Sequence, residues 1–514
     1  MFPWWLLGFL ALCPASLCTN PGITGRITQN GLEYGKQIGM AVLQQKLKSI
    51  KIPDMSGKEK VSPIGKVRYS LTEMQIVSVS LPKSAVGLSP GTGVVLSIGN
   101  AYISIKGNWR VKYLRIVKHH GSFDLSVSGL TISAGIGVSR DETGRPTVSS
   151  ASCSTSIGGV RIKFHGGASW LYNLFSKFIE KALRKALSDK ICPLVSDAIG
   201  GLNPHLKTLN VLAKVDRYAE VEYSLVSPPV ITKNYIDLDL KGEFYNIGQH
   251  HEPPFTAPPF SLPEQASSML YIGVSEFTLN SAGFVYYSAG VLNTNVTDDM
   301  IPKSSPLRLN TQTFGVFIPQ ASQLKFPFFF IAQSYPNMSV KLIVQATQQP
   351  HATMQPSNVT VEVMGSIAAY VIKPDSTLAP LFVLGMKAST SANLLISGKK
   401  LVGSVTLNGV GLSLQKSYVG PFQIQSLQTV LQLALKSAVL PKVNELLKEG
   451  FPLPTIDKMN LVNAQIQILK DYVLIGTDVA FTGSLARYSD TAKARVHPDP
   501  AFRVLRLRGT PLKL

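Results

Sequence analysis

The sequence predicts an α+β protein built from two copies of one unit, a twisted antiparallel sheet closed by a long apolar helix. Three observations predict it. Residues 122–138 alternate apolar and polar side chains almost strictly, with Phe123, Leu125 and Val127 followed by Leu130, Ile132, Ala134, Ile136 and Val138. Trp170, Leu171, Leu174, Phe175, Phe178, Ile179, Ala182, Leu183, Ala186 and Leu187 then form a wide helical stripe. The second half repeats this grammar. Its long helix also carries a proline near its C-terminal part, Pro441 against Pro193. Each proline is followed by another, Pro452 and Pro204, at the same spacing. Such a stripe must cover something, and the open face of a curved sheet in its own half is the economical target.

The elements follow in chain order. Residues 1–18, MFPWWLLGFLALCPASLC, hold no charged side chain and are too short to span a bilayer. They read as a secretory signal peptide. Cleavage after Cys18 is favoured over cleavage after Ala15. No later run reaches the length of a spanning helix, so a soluble exported product is expected. Tyr34, Ile38, Val42, Leu43, Leu47 and Ile50 mark one face of a helix that Pro53 and Asp54 end. After the strand at 122–138, the DETG turn at Asp141–Gly144 leads into a strand with Val160, Ile162 and Phe164, and then the helix. Five prolines in PPFTAPPFSLP, 253–263, mark a semi-rigid linker. Strands follow at Leu270–Val274, Val359–Val363, Leu394–Ile396 and Val405–Leu414, with a helix from about Ile424 to Lys448. The expected division is 1–18 signal peptide, 19–240 N-terminal domain, 241–265 linker, 266–481 C-terminal domain and 482–514 a basic, flexible tail.

Loss of the signal peptide removes Cys13 and Cys18 and leaves Cys153 and Cys192. In an exported chain these allow one intramolecular bridge, with two free thiols as the alternative. The sequons at Asn295, Asn337 and Asn358 fit export and glycosylation.

The 514 residues carry 50 Lys and Arg against 30 Asp and Glu, net +20, while 45% are hydrophobic and only 16% charged. A disordered polyelectrolyte is excluded, since that class needs dense charge and little apolar content. The excess is one-sided. Residues 1–120 hold 15 basic and 4 acidic groups, whereas 251–481 hold 14 and 12. A greasy, basic chain suits an anionic partner that carries acyl chains. The cations cluster twice. Lys46, Lys48, Lys51, Lys58, Lys60, Lys66 and Arg68 form the first cluster. Lys106, Arg110, Lys112, Arg115 and Lys118 form the second, with Trp109, Tyr113, His119 and His120 among them. Either this is a solvated strand face, or it binds phosphate, with aromatic rings at the acyl–headgroup boundary.

Signals for other classes are weak. Gly87-Leu88-Ser89-Pro90-Gly91 has the spacing of a nucleophile elbow, but the residues after it read as strand instead of helix. The pairs His119–His120 and His250–His251 are neighbours, and neighbours on a strand point to opposite faces. With no HExxH, Walker loop or CxxC, neither catalysis nor a metal site is expected. Nucleic acid is not expected as the primary partner, because no reader motif is present. The apolar helix faces fit an ordinary core or a lipid-filled channel equally well.

Several segments together resemble the bactericidal/permeability-increasing protein and lipopolysaccharide-binding protein family. They are NPGITGRITQNGLEYG from Asn20, IKIPD ending at Asp54, GSFDLSVSG from Gly121, GRPTVSSASCS from Gly144, KGEFY from Lys241, DDMIPK from Asp298, YPNMSV from Tyr335 and NELLKEGFPLPT from Asn444. The resemblance spans Asn20 to Phe481. It implies a boomerang of two pseudo-symmetric barrel-like domains joined by a central β-sheet, with a bridge matching Cys153–Cys192. It implies two apolar pockets holding phospholipid, for which Leu171, Leu174, Phe175 and Phe178 are lining candidates in the first half. It also implies a basic N-terminal tip that binds the lipid A part of lipopolysaccharide. Carried over by position, the tip is Lys60, Lys66, Lys106, Arg110, Lys112, Arg115 and Lys118. The charge balance is closest to the family's bactericidal member. The expected role is therefore secreted or granule-stored defence at the Gram-negative outer membrane. The alternative is a carrier delivering lipopolysaccharide or phospholipid to a host receptor or particle. Residues 325–334 and 482–514 depart from the family pattern.

Overall fold

The protein is seen in a computed structural model that describes residues 20–61, 65–113, 117–166, 176–318 and 331–483. The expected signal peptide, Arg115, Leu171, Leu174 and Phe175, most of 325–334 and nearly all of the tail lie outside the described residues. Among those described, the strands assemble into two large curled sheets, a six-stranded sheet between them and a small three-stranded one.

In the N-terminal sheet Met55–Val61, Gly65–Ser80, Gly93–Tyr113, Val117–Arg140 and Pro146–His165 pair antiparallel in chain order, with Lys83–Ser89 beside Gly93–Tyr113. Alternation puts Phe123, Leu125 and Val127 inside, then Leu130, Ile132 and Ala134. The break in phase between Val127 and Leu130 is a bulge against Gly93–Tyr113, made where Gly129 takes φ +62°. Bulges of this kind increase twist and let such long strands coil around a helix.

That helix is Ser176–Gly200. Ile179, Leu183, Leu187, Ile191, Val195 and Ile199, four residues apart throughout, are buried against the sheet. The predicted stripe is wider and is traced only as far as Leu187, with Pro193 expected near the C-terminal part of the helix. The helix runs through Cys192 and Pro193 to Gly200, and Cys192 is bonded from within it to Cys153 on Pro146–His165. The first helix, Gln29–Lys48, starts from Thr28, whose hydroxyl accepts a hydrogen bond from the N–H of Gly31. It buries only Leu43 and Leu47. Tyr34 instead accepts a hydrogen bond from the Phe481 N–H (2.8 Å).

The C-terminal sheet runs Asn293–Val296, Val340–Ala346, Asn358–Ile372, Leu378–Ser397, Lys400–Ser417, Phe451–Pro452, with His351–Gln355 beside Asn358–Ile372. Its covering helix is segmented into a 3₁₀ turn at Ile424–Leu427, an α-helix at Gln428–Ala434, a π turn at Leu435–Val439 and a second α-helix at Leu440–Glu449. Leu427, Val430, Leu431, Ala434, Leu435 and Ala438 are its buried face.

The central sheet interleaves the chain: Val230–Ile231, Tyr235–Leu240, Ile23–Thr28, Leu270–Ser275, Tyr472–Phe481, Met459–Ile468. Arg26 is buried within it. It pairs with both oxygens of Asp237 (2.7 and 2.8 Å) and lies over the Tyr235 ring. Its remaining donors reach the carbonyls of Leu262 and Pro263 (3.2 and 3.0 Å), which anchors the end of the proline-rich run to the sheet. Gly273 permits that close approach, because a Cβ there would stand 2.4 Å from Leu262.

At the start of the expected linker, Glu243–Asn246 forms a strand of the small sheet. There Lys241 Nζ is ringed by Glu222 (3.5 Å), Glu243 (3.8 Å) and Glu252 (3.5 Å). Glu243 is buried, and burial pushes its carboxyl above the usual range despite the pull of Lys241. A carboxyl shifted upward weakens the fold while ionised. Glu243→Gln should therefore raise neutral-pH stability by about 1 kcal/mol, roughly 2 °C. The gain should disappear on acidification through the raised pKa, as native Glu243 protonates. Melting curves at pH 7.5 and 4.5 check this.

Candidate functional site

Strand register decides which cations meet. Val67, Tyr69, Leu71, Trp109, Val111 and Phe123 point into the N-terminal core, so their neighbours face out. Across four adjacent strands Lys58 stands opposite Arg68, Arg68 opposite Lys112, and Lys112 opposite Lys118. All four are exposed. Directly opposed residues share a face at roughly 5 Å between Cβ atoms, so this is a lateral row of four like charges. Lys60 and Lys66 oppose one another beside the row, towards the hairpin ends. On the other side Arg110 stands between Ser70 and His120. Lys106 lies further along, opposite Gln75 and Asp124.

Among the described residues, none of these cations is in an ion pair. The carboxylates that reach this face stand at its inner end. Asp124 bonds His165 (2.8 Å), and Glu73 accepts from Asn108 (2.7 Å). Glu59, between Lys58 and Lys60 in sequence, is turned to the other face, where its charge adds to burial in raising the Tyr69 hydroxyl. Like charges set opposite one another destabilise a sheet, so the row stores a preference for a polyanion.

Of the carried-over tip, Lys60, Lys66, Lys106, Arg110, Lys112 and Lys118 thus share one outer face. Lys58 and Arg68, which complete the row, were in the first basic cluster but outside the carried-over set. Alternation puts them on the same outer face as the others, and strand register sets them opposite one another. Trp109 is not at the ligand boundary. It is 2% exposed, donates to the carbonyls of Ser122 and His165, and packs edge-on against Phe164. Its odd number puts it on the core side of a strand whose even positions carry the charge. Tyr113 stacks on His119. His119 and His120 take opposite faces, as expected. Ser89 ends a strand and accepts from Thr92 N–H in the turn before Gly93–Tyr113, so the elbow-like motif is a hairpin turn.

The second feature is a cavity of about 650 Å³ between the C-terminal sheet, the helix Leu440–Glu449 and the helix Glu276–Ser288. Val361, Val363, Met386, Leu407 and Leu435 are among its apolar lining. Its size falls at the middle of the range common for ligand sites, roughly 300–1,000 Å³. Phe178, the lining candidate that is described in the first half, is 46% exposed near the start of its helix. The sequon residues Asn295, Asn337 and Asn358 are all exposed.

Two curled sheet-and-helix domains about a shared sheet, with cations on one outer face and an apolar cavity in the opposite half, define the class of protein. Residues 31–205 match the model of the LBP / BPI / CETP family N-terminal domain, and residues 213–481 match that of its C-terminal domain. The chain is 58% identical over 477 residues to the bactericidal permeability-increasing protein of Sebastes schlegelii, covering 93% of this chain and 99% of that protein. It is 35% identical to the lipopolysaccharide-binding protein of Homo sapiens, covering 92% and 96%. A crystal structure of lipopolysaccharide binding protein superimposes with a TM-score of 0.63 at 34% identity, covering 90% of this chain and all of that one. The chain belongs to the LBP / BPI / CETP family.

Proposed function

We propose that this is a secreted protein of innate defence that binds the phosphorylated lipid A part of lipopolysaccharide through its basic N-terminal face and disrupts Gram-negative outer membranes. The observation that carries this reading is the row Lys58–Arg68–Lys112–Lys118, flanked by Lys60, Lys66 and Arg110 and free of ion pairs among the described residues. Lysine and arginine make charge-assisted bonds to phosphate oxygens. Several cations at this spacing compete with the divalent ions that bridge neighbouring phosphates. The signal-like start, the bridged cysteines and the exposed sequons support export. The names of the relatives at 58% and 35% identity support the ligand class. Lipopolysaccharide binding measured at two salt concentrations, beside killing of Gram-negative cells, tests the proposal. Salt-insensitive binding, or none, would sink it.

A carrier role is the second reading, favoured by the apolar cavity, which we assign to the acyl chains of a phospholipid. Ala392 is half-buried in its wall. Ala392→Phe should remove most of the phospholipid recovered from the purified chain by extraction and mass spectrometry, while lipopolysaccharide binding at the other end stays unchanged. Equal lipid recovery from both proteins would empty the cavity of this role.

A further inference from the structure

The helix Leu440–Glu449 has the residues of a core helix but not the burial. Leu440, Val443, Leu446 and Leu447 share one face, yet no residue of the helix is buried, and Leu446 is 59% exposed. All four line the cavity. The apolar face is therefore a wall with nothing packed behind it. Two attachments hold the helix in place. On one side the Asn444 amide clips it to the strand Lys400–Ser417, accepting from the Val405 N–H (2.7 Å) and donating to the Val405 carbonyl (3.1 Å). On the other, Lys442 Nζ donates to the Thr294 hydroxyl (3.1 Å) on the strand Asn293–Val296. Lys442 and Thr294 both line the cavity, so this bond crosses its rim.

Lys442 is exposed, and among the described residues it has no carboxylate within ion-pair distance. A full positive charge at the mouth of an apolar cavity, satisfied by a neutral hydroxyl, is better matched by an anion. The π turn Leu435–Val439 just upstream, and Pro441 in the first turn of the helix itself, already interrupt the helical hydrogen-bond ladder. The final segment can therefore pivot at the cost of few further bonds.

We propose that Lys442 anchors the phosphate of a phospholipid whose acyl chains fill the cavity. The Thr294 hydroxyl is exchanged for that phosphate as the lipid seats and Leu440–Glu449 settles over the chains. This rests on the assignment of the cavity to lipid. It adds the residue that holds the headgroup phosphate and the hydrogen bond given up for it.

The test uses the full chain, incubated with phosphatidylcholine vesicles carrying a trace of one pyrene-labelled probe. The probe is phosphatidylcholine, the diacylglycerol with the same chains, or the free fatty acid. Lys442→Gln should lower uptake of labelled phosphatidylcholine roughly tenfold. It should leave diacylglycerol uptake unchanged, and Lys442→Arg should restore the loss. Wild-type uptake of phosphatidylcholine by Lys442→Gln, with Ala392→Phe blocking it, overturns the anchor but keeps lipid in the cavity. Loss confined to the fatty acid overturns the phosphate in favour of a carboxylate. No uptake of any probe by the wild type, with Ala392→Phe indistinguishable from it, overturns the cavity assignment and the anchor together.

Discussion

Arg68→Glu combined with Lys118→Glu should lower lipopolysaccharide affinity by at least about a hundredfold at physiological salt while making the free protein more stable. The row would read plus, minus, plus, minus instead of four positive charges. Each cation near an anionic lipid surface is worth about 1 kcal/mol, and two reversals change the local charge by four units. Screening over roughly 8 Å trims the sum but leaves several kcal/mol. In the absence of ligand the same change turns like-charge neighbours into opposite-charge pairs, worth roughly 0.2–1 kcal/mol each. Affinity and melting temperature should therefore move in opposite directions, which separates lost binding from lost folding. The dependence of binding on salt should flatten, because fewer screened contacts remain. Lys416→Glu with Lys470→Glu, on exposed sites of the C-terminal half, serves as the control and should change little. Titration by calorimetry at two salt concentrations, beside thermal melts, reads all of this. An unchanged affinity in the first variant would remove the row from the site.

Cys153→Ala with Cys192→Ala should be the most destabilising change in the N-terminal domain that leaves its cores intact. The two cysteines are 39 residues apart. Closing a loop of that length is worth about 4 kcal/mol on the chain-entropy model. In a domain of this size that is roughly a 10 °C fall in melting temperature. The bridge ties the covering helix to the outermost strand of its sheet, which among the described residues pairs on one side alone. The six buried residues of the helix should keep it docked at low temperature, so the loss should appear on heating. A melt unchanged by the double substitution would mean that helix packing alone fixes that edge.

Much of the fold was legible because period-two alternation and helical stripes are written directly in the residues. The strand at 122–138, its DETG turn and the phase break at Gly129 could all be read from spacing. Less was legible where neighbours decide. Trp109 looked like a ligand-facing aromatic among cations, but strand parity sends it inward. The row of four depends on register between strands whose hairpins close it, and register is a property of pairs of strands. The helix continues past Pro193, as its place in the paired halves suggested, because packing of Ile191 and Val195 on both sides of it outweighs the lost hydrogen bond. The segmented C-terminal helix was read as one length, since its apolar positions continue across the π turn. Periodicity could not separate the cavity from a core, because a stripe that meets a core and one that walls a hollow have the same period; apolar pockets were expected from the family resemblance alone.

The interleaved central sheet sets a timetable for synthesis. Ile23–Thr28 is made first, yet its neighbours Tyr235–Leu240 and Leu270–Ser275 come much later, and Tyr472–Phe481 later still. At roughly 5–20 residues per second, tens of seconds separate the first strand from the last. Each curled domain can close its own core on the ribosome, but one edge of Leu270–Ser275 stays unpaired until Tyr472–Phe481 has been made. An unpaired edge recruits other strands. A chain that stops short of residue 472 is therefore sticky for as long as it exists, and quality control can recognise an incomplete product by that one open edge.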